Sequence, residues 1–78
     1  MSDIIIHHIN VSYDESDERV RSFTRHLKND KAKDEMEQYY QEALAQKDGK
    51  LHISDKDGNE FTLICSAGHN CILTLRGM

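Results

Sequence analysis

The sequence predicts a two-layer α+β domain in the order β-α-α-β-β-β: an antiparallel four-stranded sheet with a helical hairpin packed on one face. Three observations predict it. Residues 4–13 alternate with the period of a strand. Residues 16–48 carry apolar side chains at helical spacing. Residues 51–75 return to alternation, interrupted by two glycine-centred breaks. The elements fill residues 1–78 without a linker or a repeat, as one domain.

In IIIHHINVSY (4–13), Ile5, His7, Ile9, Val11 and Tyr13 share one face of a single strand, and Ile4, Ile6, His8, Asn10 and Ser12 share the other. The acidic run DESDE (14–18) suits a helix N-terminus, with Asp14 or Ser16 as cap. Val20, Phe23 and Leu27 then form a stripe along a first helix over 16–28. Ala32, Met36, Tyr40 and Ala43, with Leu44 beside them, form a second stripe. Leu27 and Met36 are two and a half turns apart, which puts the two stripes on opposite faces of any continuous helix. The chain must therefore break near Asn29–Asp30, with Asp30 capping the second helix and Gly49 ending it as its C′ residue.

Pairing rules fix the remaining register. A three-residue loop KDG (56–58) pairs Ile53 with Phe61, His52 with Thr62 and Leu51 with Leu63. An odd-numbered loop centred on Gly68 pairs Phe61 with Leu75, Leu63 with Leu73 and Cys65 with Cys71, and on the other face Thr62 with Thr74 and Ile64 with Ile72. A two-residue loop at Gly68–His69 would instead mix the faces. Two helices reverse the chain twice, so the first strand is expected to run antiparallel to the last. It is placed beside that strand, because this joins Ile4 and Ile6 to Ile72.

Composition bounds the function. The chain is 37% apolar and 31% charged with a formal charge of −4, a balance that suits solubility and opposes sequence-independent binding to nucleic acid or anionic membranes. No apolar run approaches a membrane-spanning length and no basic-then-apolar leader precedes the first strand, so the expected compartment is the cytoplasm, with both cysteines reduced.

The stretch CSAGHNC (65–71) concentrates the chemistry-bearing side chains. As a hairpin end it places Cys65 and Cys71 opposite each other as small core hydrophobes, about 4.5–5.5 Å apart at Cα and so within disulfide reach. Cys65, His69 and Cys71 are weak candidates for a metal, because a structural zinc takes four ligands and C-x3-H-x-C with no second knuckle supplies three. Adjacent strand residues such as His7 and His8 would point to opposite faces and could not chelate together. A catalytic Cys–His pair would need a thiolate beside a fixed base, and nothing in the sequence places one. DKDGNE (55–60) has the opening of a calcium loop, but its twelfth position is Ser66 and its flanks are strands. No metal, cofactor or catalytic group is expected.

Two surfaces remain. Arg21, Arg25 and Lys28 lie along one flank of the first helix and are candidate nucleic-acid contacts, weighed against the acidic residues at 14–18 and 30–37. The outer sheet face carries rows His52–Thr62–Thr74 and Ser54–Glu60–Arg76, with Ile4, Ile6, Ile64 and Ile72 as exposed aliphatics. The expected function is therefore that of a small non-enzymatic regulator, inhibitor-like, which forms a homodimer or docks on a protein partner through those isoleucines. Nucleic-acid binding by the first helix is the alternative. A metal- or thiol-dependent activity at residues 65–71 is the third reading.

Overall fold

In the computed structural model, which describes residues 2–75, the alternating N-terminal stretch forms two strands. β1 (Ser2–Ile6) and β2 (Ile9–Tyr13) make an antiparallel hairpin with His7–His8 as a two-residue loop. His7 sits at φ 57°, the positive φ that such loops need at their first position. A two-residue loop switches parity between the strands it joins. Ile4 pairs with Val11 and Ile6 with Ile9, so all four face the helices. Ile6 is fully buried and Ile4 packs against the core, which corrects the expectation that both lie on the outer face. Ile5, assigned to the inner face by the single-strand reading, is 61% exposed.

α1 (Glu18–Asp30) starts where the acidic run predicts a helix, but its cap is Asp17, whose carboxylate accepts the Arg19 N–H. Asp14 instead accepts from the Ser16 backbone and hydroxyl in the preceding turn. α2 (Lys33–Ala45) begins after Ala32, later than a cap at Asp30 would allow. Glu35 supplies the capping contact by accepting the Ala32 N–H at 3.1 Å. Val20, Phe23 and Leu27 bury one face of α1, and Met36, Tyr40 and Ala43 one face of α2, while Leu44 is left partly exposed.

Gln46 is the C-cap of α2, and Gly49 lies beyond it in the turn into β3 (Lys50–Ser54). Gly49 has φ 70°, and a Cβ there would stand 2.8 Å from the Cys65 carbonyl oxygen, so both conformation and space require glycine. β4 (Glu60–Ser66) and β5 (Asn70–Leu75) complete the sheet. Both of their hairpins have the register that the glycine loops predict, including Ile53–Phe61, Cys65–Cys71 and Ile64–Ile72.

The sheet has five strands in the order β1-β2-β5-β4-β3. The N-terminal segment does lie beside the last strand, but β2 runs parallel to β5, not antiparallel. The reason is the course of α2. His7 bonds the Lys31 carbonyl at the α1–α2 junction, Tyr40 bonds the Ser66 carbonyl, and Gly49 accepts the Cys65 N–H just past the end of α2. All three contacts lie at the sheet end that holds the β1–β2 and β4–β5 turns. α2 therefore runs across that end and only α1 returns the chain, so β3 starts where β2 started.

Continuous apolar rows face the helices: Leu51–Leu63–Leu73–Tyr13 and Cys65–Cys71–Val11–Ile4. Phe61 stacks on Phe23 with ring centres 4.3 Å apart, locking α1 to β4.

Candidate functional site

Cys65 and Cys71 are opposed as expected, but they form a disulfide, not two free thiols. The Cys65 N–H points to β3, where it meets the Gly49 carbonyl, so toward β5 the pair is of the close, non-hydrogen-bonded kind, with Cα atoms 4.1 Å apart. Both residues are buried. The disulfide takes both sulfurs out of the weak Cys65–His69–Cys71 ligand set.

His69 is drawn elsewhere. It occupies the third position of the Ala67–Gly68–His69 loop at φ 60°. Its backbone N–H donates to the Tyr40 hydroxyl at 3.1 Å, that hydroxyl donates to the Ser66 carbonyl at 3.0 Å, and its carbonyl accepts the Asn10 N–H at 2.8 Å. The ring stacks on Tyr40 with centroids 4.4 Å apart. These contacts aim His69 Nε2 at Glu37 Oε1, 3.5 Å away.

His8 arrives at the same carboxylate from the other turn. Its Nε2–H donates to Glu37 Oε1, and its ring centre lies 4.9 Å from that of His69. Its neighbour His7 donates to the Lys31 carbonyl at 2.8 Å, pinning the β1–β2 turn to the α1–α2 junction. Gln41, one helical turn beyond Glu37, donates to Glu37 Oε2 at 2.9 Å. That amide, followed by the His8 contact, holds the Glu37 carboxyl below the usual range against the opposing effect of desolvation. Two imidazoles and a carboxylate thus converge from three elements, with ligand-type atoms all within 4.8 Å of one another.

The basic flank of α1 is partly occupied within the fold. Lys28 donates to the Ile5 carbonyl at 2.9 Å and Arg21 to the Glu15 carbonyl at 2.9 Å, while Arg25 is exposed.

The outer sheet face is uncovered, since both helices pack on the other side. Its central row reads Asp3–Ser12–Ile72–Ile64–Lys50 from β1 to β3. Ile72 is 40% exposed, Ile64 is half-buried, and Asp3 accepts a hydrogen bond from the Ser12 hydroxyl. Beside this row lie Thr74–Thr62–His52, with His52 Nδ1 3.2 Å from the Thr62 hydroxyl, and Glu60–Ser54. Arg76, expected to extend the Glu60–Ser54 row, lies outside the described residues. Among the described residues no helix is long and apolar enough to cross a membrane.

The fold class these elements define is α+β, with a five-stranded mixed sheet and two helices. No protein-family model matches the chain, and neither a curated protein nor a solved structure resembles it significantly.

Proposed function

We propose that the chain is a small non-enzymatic binding protein whose uncovered sheet face packs on a second copy of itself. The observation that carries this reading is the central row. Its apolar pair Ile72–Ile64 lies between opposite charges, and Asp3 and Lys50 are each two strands from Ile72. A two-fold axis parallel to the strands, midway between the stacked sheets and above Ile72, sets each Asp3 opposite the other copy's Lys50, across the ~10 Å that separates stacked sheets. An axis along the row would instead face Asp3 with Asp3. The row is thus self-complementary in one orientation and repulsive in the other.

The same face lacks what single-stranded nucleic acid uses on sheets: its described residues include no aromatic platform, and Lys50 is their one Lys or Arg. Full burial of an isoleucine is worth roughly 1.5–3 kcal/mol, and both of these start partly covered. The association is therefore weak and concentration-dependent, as suits a regulator.

Sedimentation equilibrium over the micromolar to millimolar range tests the proposal. Ile72→Glu abolishes self-association while leaving the fold intact. Asp3→Lys and Lys50→Asp each weaken it through like-charge contacts, and mixing the two variants restores a heterodimer. A wild-type chain that stays monomeric throughout, or two variants that do not pair when mixed, overturns it.

A further inference from the structure

We infer that His8, Glu37 and His69 form a binding site for one divalent transition-metal ion of the zinc class, independent of the sheet-face contact. Three features carry this beyond an ordinary His–carboxylate contact.

The first is the donor set. Two imidazole nitrogens and one carboxylate oxygen are borderline ligands that suit zinc and its first-row neighbours, not calcium or magnesium, which take oxygen. A tetrahedral ion with bonds of about 2.0–2.1 Å needs donor atoms roughly 3.4 Å apart. The three atoms here lie within 4.8 Å of one another, and His69 Nε2 stands 3.5 Å from Glu37 Oε1. Rotation of these partly exposed side chains opens the His8–Glu37 pair and draws the wider separations in. The ion takes the place of the proton between His8 Nε2 and Glu37 Oε1: that proton shifts to Nδ1, and the neutral His8 ring offers a bare Nε2 to the ion. Water fills the fourth position, because the cluster opens to solvent.

The second is the support behind each ligand. Gln41 holds the far oxygen of Glu37 at 2.9 Å, Tyr40 stacks on the His69 ring and accepts its backbone N–H, and His7 ties the loop that carries His8 to the α1–α2 junction. Such partners orient metal ligands and are what a chance surface encounter lacks.

The third is backbone conformation. Among the described residues, His7 and His69 are the two non-glycine residues at positive φ, and both belong to the two turns that build the cluster. Residues held in that region gather at functional sites. Neither turn places glycine at that position, where glycine is the relaxed choice.

Calorimetric titration of the full-length chain with ZnCl2, and the visible spectrum on addition of CoCl2, test the inference. One ion per chain is expected, with a tetrahedral cobalt spectrum and the largest NMR shifts at the His8 and His69 ring protons. Glu37→Gln, His8→Gln and His69→Asn, the last chosen because asparagine tolerates positive φ, each weaken binding by more than about tenfold, and Gln41→Leu by roughly tenfold. His52→Gln, on the opposite sheet face, leaves binding unchanged. Ile72→Glu also retains full uptake, which separates this site from the proposed dimer. Absence of saturable one-to-one binding, or binding that survives both His8→Gln and His69→Asn in a folded chain, overturns the inference.

Discussion

The β1–β2 and β4–β5 hairpins turn side by side at one end of the sheet, and each puts a histidine at positive φ. They differ in how the turn is made and secured. The β4–β5 loop has three residues, uses Gly68 at φ 89°, and is closed by the Cys65–Cys71 disulfide. The β1–β2 loop has two residues, contains no glycine, and is held from outside by the bonds of His7 to the α1–α2 junction and of His8 to α2. A three-residue loop preserves odd–even parity between its strands and a two-residue loop reverses it, so β4–β5 keeps its apolar residues at odd positions throughout while β1–β2 moves them from Ile4 and Ile6 to Ile9 and Val11. Where a turn carries its own conformational signal, local sequence sets the register. Where it does not, the helix beneath it has to hold the turn.

The largest expected effect breaks the parity switch directly. Ile6→Ala removes a fully buried side chain and should cost about 2–5 kcal/mol, a large share of the stability of so small a chain. Ile5→Ala, at the adjacent exposed position, should stay within about 0.5 kcal/mol. Urea unfolding of the two variants decides it, because a continuous strand through residues 4–13 demands the reverse ranking.

A smaller effect tests the staple that only one hairpin has. Cys65 and Cys71 are six residues apart in sequence. Removing a bond that closes so short a loop should destabilise the chain by about 2 kcal/mol in the loop-entropy picture. Denaturation of the Cys65→Ala/Cys71→Ala variant and of the reduced wild type, each compared with the oxidised wild type, measures it. The β1–β2 pairing should persist in both, seen as slow amide exchange in β2.

The smallest effect concerns the third hairpin, β3–β4, whose turn is also glycine-containing. There Asp55 accepts from the Asp57 and Asn59 backbone N–H groups, each at 2.9 Å, and from the Asn59 side chain at 3.0 Å. The Asn59 side chain first, and then the backbone donors, hold its carboxyl below the ordinary value. A carboxyl depressed in the folded state contributes stability above its unfolded pKa and loses it as pH falls through the folded value. Stability should therefore decline as pH drops below about 4, and Asp55→Asn should shallow that decline slightly. Urea midpoints at pH 7 and at acid pH check it, and unchanged acid sensitivity in the variant removes Asp55 as a source.

The N-terminal hairpin was legible in principle. A two-residue loop at His7–His8 pairs Ile6 with Ile9 and Ile4 with Val11 on one face, and Asp3 with Ser12 on the other, the same agreement of faces that identifies the last hairpin. The missing cue was glycine, since two histidines do not announce a turn. The candidate metal cluster had one visible member, His69, within the C-x3-H-x-C segment. Its other two members lie 61 and 32 positions earlier, as His8 and Glu37, and their meeting depends on α2 crossing the strand ends. As strand neighbours, His7 and His8 would point to opposite faces. In a turn they divide the work, one securing the backbone and the other reaching Glu37.

By itself the sequence determined the local terms: the apolar stripes of both helices, the break between them, and the register of the two glycine hairpins down to the facing cysteines. Each follows from interactions within a few residues or across one turn, where side-chain period and loop length leave one consistent pairing. The tertiary structure decided the direction of β2 against β5, the course of α2, the burial of Ile6 with the exposure of Ile5, and the convergence of His8, Glu37 and His69. These depend on how a helix packs across the end of a sheet, and the period of a helical stripe states which face is buried but not the direction in which its axis runs.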